Sequence, residues 1–102
     1  RMASPSTAVV LTAQDAARRR ELAEHLRDRG DVLYGAFWCP DCAAQKQLFG
    51  DAADALPYVE CGFGSPRADV QTLPTWIIDG VLLQGALTIA ELERRSSFRS
   101  RH

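Results

Sequence analysis

The amino-acid sequence predicts an α/β fold in which a mixed central β-sheet is flanked by helices. Three observations lead to this prediction: helical and strand-like segments alternate, a hairpin pattern follows them, and 102 residues suffice for one domain. Alternating elements followed by an antiparallel pair are typical of a mixed sheet covered by helices. The predicted order is helix, strand, helix, strand, loop, hairpin and helix.

The N-terminal part of the sequence has the patterns of a tail, a short strand and a long helix. Residues 1–7 are small and polar, which predicts a disordered tail, and the apolar run at 8–11 has the composition of a strand. A helix is predicted from Thr12 to Gly30, because Thr12 and Asp15 have capping-box spacing and glycine commonly ends helices. Its apolar stripe is predicted to consist of Ala16, Leu22, Ala23 and Leu26.

The middle of the chain predicts a buried strand, a helix and a second strand. The run DVLYGAFW at 31–38 is almost entirely apolar and aromatic, which indicates a strand buried on both faces. A helix follows with Pro40 in its first turn, where proline is tolerated, and Gly50 is expected to bend or end it. The run YVEC at 58–61 predicts a short strand, and the turn-rich segment after it predicts a loop.

The C-terminal part predicts a hairpin and a last helix. The runs TWII and VLLQ are joined by Asp79 and Gly80, a dipeptide that type I′ turns favour. Thr88 and Glu91 have the spacing of a capping box, so a helix begins there.

Composition limits the classes of protein that the chain can belong to. With 46% hydrophobic and 25% charged residues and a net charge of −1, neither a disordered chain nor a nucleic-acid-binding protein is predicted. No apolar run approaches the roughly 20 residues that span a bilayer, so we expect no direct membrane insertion. We expect a monomer whose ordered domain covers residues 8–97, followed by a loose basic tail at 98–102.

The pair Cys39 and Cys42 follows the buried strand directly, and three interpretations compete for it. Zinc needs four ligands in paired spacing, and the only further candidates are Cys61, His25 and His102, so we expect no metal. A structural disulfide that closes so short a loop would restrain the unfolded chain very little. The favoured interpretation is a redox pair, because Cys-x-x-Cys between a strand and a helix is typical of redox motifs.

Placement at the helix N-terminus gives the two thiols different roles. Free backbone N–H groups and the helix dipole favour a thiolate at Cys39, which becomes the attacking sulfur. Cys42 lies one turn further along and can resolve a mixed disulfide. Pro40 stiffens the loop, and Trp38 either shelters the site or forms the edge of the core. Lys46, on the same helix, is assigned to the solvated surface.

Asp41 is unusual, because a carboxylate near Cys39 opposes thiolate formation. We hypothesise that it makes the pair less oxidising than one carrying histidine there. A second signal is Leu73-Pro74 before the hairpin, since sheet interiors exclude proline. A cis bond between them would turn the chain sharply and present the backbone of Leu73 to a bound peptide.

These residues resemble the thioredoxin superfamily over about residues 8–97. The stretches that carry the resemblance are YGAFWCPDCAAQKQLFG, PYVEC and LPTWIIDG. It implies that Cys39 is the nucleophile, that Cys42 resolves, and that Leu73 and Pro74 bind substrate backbone, without metal or organic cofactor. The stretches are also similar to the thioredoxin-like domain of bacterial and cyanobacterial vitamin K epoxide reductase homologues. Such domains pass disulfides between a quinone-linked membrane enzyme, here a partner in trans, and proteins being oxidised.

Three departures from the family pattern stand out. The segment between YVEC and LPTW is short, as though one family helix were missing, so the predicted thioredoxin-like sandwich is shortened there. In the relatives the cysteine matching Cys61 has a companion in that segment, so Cys61 is either a small buried hydrophobe or a third redox thiol. Leu33 stands where ordinary thioredoxins carry a buried acid, so proton transfer at Cys42 needs another base or water.

We therefore expect a thiol-disulfide oxidoreductase that acts on protein thiols and disulfides. The alternative is a non-catalytic thioredoxin-fold module that binds peptides or proteins through the Leu73-Pro74 groove. The compartment stays open: we expect a soluble chain in the cytoplasm or, if the chain is excised from a membrane-linked protein, in the periplasm or thylakoid lumen. The residues expected to contact substrate are Trp38, Pro40, Asp41, Leu73 and Pro74.

Overall fold

A computed structural model describes residues 12–100 of the protein, and these residues form helices and strands in the predicted order. The predicted strand at 8–11 lies outside the described residues. The elements are α1 (Ala13–Asp28), β1 (Val32–Gly35), α2 (Pro40–Gln47), a 3₁₀ helix (Gly50–Ala55), β2 (Tyr58–Glu60), β3 (Thr75–Ile78), β4 (Val81–Gln84) and α3 (Ile89–Arg95).

The four described strands form one mixed sheet in the order β2-β1-β3-β4. β1 runs parallel to β2 and antiparallel to β3, and β3 and β4 form the predicted hairpin. In this register Leu33 of β1 lies between Tyr58 of β2 and Trp76 of β3. The arrangement confirms the α/β prediction and is consistent with a thioredoxin-like fold.

Local sequence signals begin and end the elements where the sequence analysis predicts. The Thr12 hydroxyl accepts a hydrogen bond from the Asp15 N–H at 3.0 Å, and Thr88 forms a complete capping box with Glu91. The hairpin turn has positive φ at both central positions, 54° at Asp79 and 77° at Gly80, as a type I′ turn requires. The helix after the cysteines ends at Gln47, and a 3₁₀ helix begins at Gly50, the residue expected to bend or end it.

The first predicted strand is shorter than the apolar run suggests. β1 ends at Gly35, and the side chains of Phe37 and Trp38 are 66% and 58% exposed, so the prediction of a strand buried through residue 38 is wrong. The chain leaves the sheet after Gly35 to reach the start of α2. Ala16 is also exposed, because α1 packs on the core through its second half.

The two faces of the sheet are covered differently. On the first face α1, the 3₁₀ helix and α3 pack against the strands, with Leu22, Leu26, Phe49, Ala52 and Leu92 contacting Leu33, Trp76 and Ile78. On the second face Val70 and Leu73 of the loop before β3 cover Tyr34, Cys61 and half-buried strand residues. Among residues 12–100 this second cluster takes no member from a helix. Phe98, within the predicted tail, packs on the first cluster, with its ring centroid 5.4 Å from that of His25.

Gln45 ties the cysteine-bearing helix to the rest of the fold. Its side chain is fully buried, and its Oε1 accepts hydrogen bonds from Trp76 Nε1 at 2.9 Å and from the Leu87 N–H at 2.6 Å. Its Nε2 donates to the Leu87 carbonyl at 3.0 Å. A buried amide is tolerated here because it has hydrogen-bond partners at both ends. The single side chain therefore connects α2 to β3 and to the segment that leads into α3.

We predict that Gln45→Ala lowers the free energy of unfolding by about 2–4 kcal/mol, because it leaves two buried N–H groups without an acceptor. Urea denaturation monitored by circular dichroism would measure the change. Gln47→Ala, an exposed glutamine on the same helix, is the matched control and should change stability by less than about 0.5 kcal/mol. If both substitutions changed the free energy of unfolding by the same small amount, the connecting role of Gln45 would be contradicted.

Candidate active site

Cys39 lies directly before the cysteine-bearing helix. A turn after β1, closed by the Cys39 N–H donating to the Ala36 carbonyl at 3.1 Å, brings the chain to this point. Cys39 is the N-cap residue of α2 and Pro40 follows inside the first turn. The Cys42 N–H donates to the Cys39 sulfur at 3.1 Å. A backbone donor at a helix N-terminus therefore faces the predicted nucleophile and would stabilise its thiolate.

The Cys42 thiol is buried more deeply than the Cys39 thiol, and its pKa is shifted. Cys39 is 7% exposed and Cys42 only 1% exposed. Burial first, and then the hydrogen bond with Cys39, raise the pKa of the Cys42 thiol to about 11. With that pKa roughly one Cys42 thiol in 10⁴ is ionised at pH 7. Cys42 is thus held as a sheltered thiol beside the more accessible Cys39.

The loop before β3 meets the cysteines from the other side. The Leu73–Pro74 peptide bond is cis. The Cys39 thiol lies 3.8 Å from the Leu73 carbonyl oxygen, and the Leu73 side chain packs against the cluster of Ala36, Cys39 and Cys42. The fold therefore brings together two predicted features, Cys-x-x-Cys and Leu73-Pro74, that are more than thirty residues apart in sequence.

The turn that precedes Cys39 carries exposed aromatic side chains. Trp38 is not part of the core edge: it is largely exposed, and its Nε1 donates to the Gly62 carbonyl at 3.0 Å. The ring of Phe37 lies 5.6 Å from that of Phe63, which is 96% exposed. A Cβ at Gly62 would lie 2.4 Å from the Phe37 ring, so this close approach requires glycine.

The other two predicted residues lie in contrasting environments. Asp41 is exposed in the first turn of α2. Cys61 is 5% exposed, its thiol lies 3.6 Å from the Val59 carbonyl oxygen, and burial raises its pKa. Cys61 belongs to the second-face cluster, whereas Cys39 and Cys42 form a cluster with Ala36. All three cysteines are free thiols, and no group of metal-ligating side chains converges among residues 12–100.

Tyr58 and Glu60 join the site although the sequence analysis did not single them out. The Tyr58 hydroxyl donates to Glu60 Oε1 at 2.8 Å, and burial together with this bond raises the pKa of Tyr58. Glu60 Oε2 accepts the N–H groups of Phe37 at 2.9 Å and Gly62 at 2.8 Å. Lys46 is not simply solvated: its Nζ lies 4.1 Å from the centroid of the Tyr58 ring. The sequence spacing of Tyr58 and Glu60 could have indicated this pair, because residues two apart in a strand lie on the same face.

The chain is similar to a known protein over part of that protein's length. No protein-family model matches the chain. The chain is 40% identical over 89 residues to a thiol-disulfide oxidoreductase, LTO1, of Arabidopsis thaliana. The match covers 76% of this chain but only 24% of the relative, so the chain spans about a quarter of that protein's length. Together with the fold, this similarity is consistent with the thioredoxin-like superfamily. Within residues 12–100, no helix is long and apolar enough to cross a membrane.

We predict that iodoacetamide modifies Cys39 before Cys42, and that the rate at Cys42 rises about tenfold per pH unit from pH 7 to 9.5. The reason is that only the thiolate reacts, and the pKa of Cys42 is raised to about 11, above this whole range. Fragmentation of the peptide that contains both residues, by mass spectrometry, would localise the label. If the rate of iodoacetamide modification at Cys42 levelled off near pH 8, the burial that raises the pKa of Cys42 would be contradicted.

Proposed function

We propose that the protein is a thiol-disulfide oxidoreductase that exchanges a disulfide between Cys39 and Cys42 with protein substrates. The observation that carries this proposal is the cysteine geometry. Cys39 caps α2, accepts the Cys42 N–H, and faces the Leu73 carbonyl. The relative that is named a thiol-disulfide oxidoreductase supports the same chemistry.

The proposed reaction proceeds through a mixed disulfide. The Cys39 thiolate attacks one sulfur of a substrate disulfide, and the other substrate sulfur leaves as a thiolate. Cys42 then loses its proton and attacks Cys39, which releases the second substrate sulfur. Cys39 and Cys42 end oxidised and the substrate ends reduced by two electrons. The reverse sequence oxidises a dithiol substrate.

Substrate contacts are proposed for the residues that surround Cys39. Trp38, Pro40 and Asp41 are exposed beside it, so a partner chain can reach them. On the opposite side, the backbone at Leu73 and Pro74 lies next to the Cys39 sulfur and suits an extended substrate segment, because main-chain hydrogen bonds give affinity without demanding a particular sequence.

A finer proposal concerns the partner that reoxidises the pair. We propose a quinone-linked membrane enzyme acting in trans, supported by the similarity of WCPDC, PYVEC and LPTW to thioredoxin-like domains of vitamin K epoxide reductase homologues. This role belongs in the periplasm or thylakoid lumen, whereas a reductant belongs in the cytoplasm. A reduction potential of about −120 to −180 mV would support the oxidant, and one of about −270 mV the reductant.

For Cys61 we propose the role of a small buried hydrophobe, with a third redox thiol as the competing role. Its burial at 5% and its place in the second-face cluster favour the first role. Cys61→Val should then leave the turnover number within twofold, measured by reduction of insulin. A loss beyond tenfold in the folded variant would instead assign Cys61 to disulfide exchange.

We predict that Cys39→Ser lowers the turnover of insulin reduction by at least about 100-fold, because it removes the attacking sulfur. Cys42→Ser should retain the first attack and accumulate a mixed disulfide that gel electrophoresis without reductant detects. The competing function is a binding module that holds partners at Leu73 and Pro74. It would be favoured if the unsubstituted protein showed no turnover while Cys39→Ser bound peptides as tightly as that protein.

We predict that Asp41→His raises the reduction potential of the pair, because the carboxylate no longer opposes the Cys39 thiolate and the reduced form becomes more stable. Equilibration in glutathione buffers with thiol trapping would measure it. Asp51→His makes the same charge change at an exposed residue of the 3₁₀ helix and serves as the control. An unchanged potential in Asp41→His would count against the role assigned to Asp41.

A further inference from the structure

The resolving step needs a group that accepts the Cys42 proton, and the cysteine-bearing helix does not supply one. Cys42 attacks as a thiolate, yet its buried thiol has a pKa raised to about 11. Leu33, the β1 residue at the position of the family's acid, is a fully packed core residue and cannot accept a proton. A proton acceptor must therefore come from another part of the fold.

Tyr58 reaches the required place across the sheet. A methyl group built at Gly35 would lie 3.1 Å from the Tyr58 hydroxyl oxygen and 3.3 Å from Cys42 Cβ. The phenol and the Cys42 side chain thus converge over the same backbone position. Because Gly35 has no side chain, nothing from this position of β1 separates them. Any larger residue would occupy the space where the two side chains meet, since its Cβ would lie 2.7 Å from Tyr58 Cε1.

We propose that the Tyr58 hydroxyl accepts the Cys42 proton during the resolving step, and that Glu60 is a positioning residue acting through Tyr58. The inference rests on the proposed thiol-disulfide exchange. It assigns a function to two residues of β2 that the cysteine motif does not include.

The hydrogen bonds orient the phenol for this role. Tyr58 has a single hydroxyl proton and donates it to Glu60 Oε1 at 2.8 Å, so its oxygen lone pairs remain for an S–H donor. Glu60 cannot turn away easily, because the N–H groups of Phe37 and Gly62 hold its other oxygen. Desolvation raises the pKa of Glu60, but its three hydrogen bonds together hold the pKa below the usual value, so the carboxylate is charged at neutral pH.

The proposed step balances in protons and electrons without any further reactant. As the sulfur of Cys42 forms a bond to the sulfur of Cys39, the Cys39–substrate bond breaks and the substrate leaves as a thiolate. The Cys42 proton passes to the Tyr58 oxygen while the phenol proton passes to the Glu60 carboxylate. Glu60 is exposed and returns the proton to water. In the reverse direction the same relay returns a proton to Cys42.

Several charged or titratable groups act on this relay and belong to its pH response. Lys46 of α2 lies over the Tyr58 ring and offsets negative charge that develops there. Charge on Cys42 or Cys61 raises the pKa of Tyr58, and charge on Cys39 or Asp41 raises that of Cys42. The pH profile must therefore be compared between variants rather than assigned to one group.

Stopped-flow reaction with Ellman's reagent separates the two chemical steps. Cys39 attack releases one thionitrobenzoate at a rate proportional to reagent concentration, and Cys42 then releases a second at a rate independent of it. The Cys39→Ser/Cys42→Ser double variant records the contribution of Cys61. The test compares the unsubstituted full chain with Tyr58→Phe, which removes only the hydroxyl. Glu60→Gln provides a second variant, and Tyr34→Phe, a phenol on the second face, is the control.

We expect Tyr58→Phe to slow the second phase at pH 7 by about tenfold or more, with the first phase within twofold. The difference between the second-phase rates of Tyr58→Phe and the unsubstituted protein should narrow as pH rises to 9. At higher pH the Cys42 thiol of the variant loses its proton to solvent, so it no longer needs Tyr58. Glu60→Gln should show the same trend and Tyr34→Phe no change. If Tyr58→Phe does not fold, Glu60→Gln decides the question.

Two results would overturn the relay: a second phase that is unchanged in the variants, or one slowed by the same factor at every pH, which indicates altered packing. Failure of the proposed function looks different. In that case the unsubstituted protein itself would show no concentration-independent second release.

Discussion

The buried amide of Gln45 is the interaction on which the candidate site depends. It accepts from Trp76 of the hairpin and exchanges two hydrogen bonds with Leu87 before α3. The helix that carries both cysteines is short and ends at Gln47, so its own hydrogen bonds cannot hold it to the sheet. Gln45 supplies the missing connection. Since Pro74 directly precedes the strand of Trp76, the same side chain connects the cysteine-bearing helix to the strand that follows the cis peptide.

The unequal cover of the two sheet faces explains where the three cysteines lie. Helices pack on the first face, and Tyr58, whose hydroxyl lies over Gly35 as the Cys42 side chain does, packs against the core of that face. The second face is covered by Val70 and Leu73 of a loop, and Cys61 is buried there. The loop between β2 and β3 covers this face, while the cysteine pair has its supports in α2 and the hairpin.

In the proposed relay a carboxylate on a neighbouring strand serves a buried thiol. In β1 the position of the family's acid holds Leu33, which contributes to the core instead. The register pairs Leu33 with Tyr58 and Gly35 with Glu60. A phenol and a carboxylate two residues apart in β2 therefore point along the same face toward the end of β1 where the cysteines begin. Glu60 additionally binds the backbone of Phe37, which connects β2 to the active-site turn.

By itself the sequence determined the element order, the helix caps, the type I′ turn and the position of Cys39 at a helix start. Each of these depends on residues a few positions apart, such as Thr12 with Asp15 or Asp79 with Gly80, and short-range chemistry sets them. The exposure of Phe37 and Trp38, by contrast, was hidden in an apolar run that looked like a strand.

Only the tertiary structure decided that Gln45 is buried, that Lys46 covers a tyrosine, and that the Tyr58 hydroxyl and the Cys42 side chain both lie over Gly35. The physical reason is that these contacts join segments distant in sequence. Their geometry follows from how β1, β2 and the helices pack together, and this depends on residues far apart in the chain.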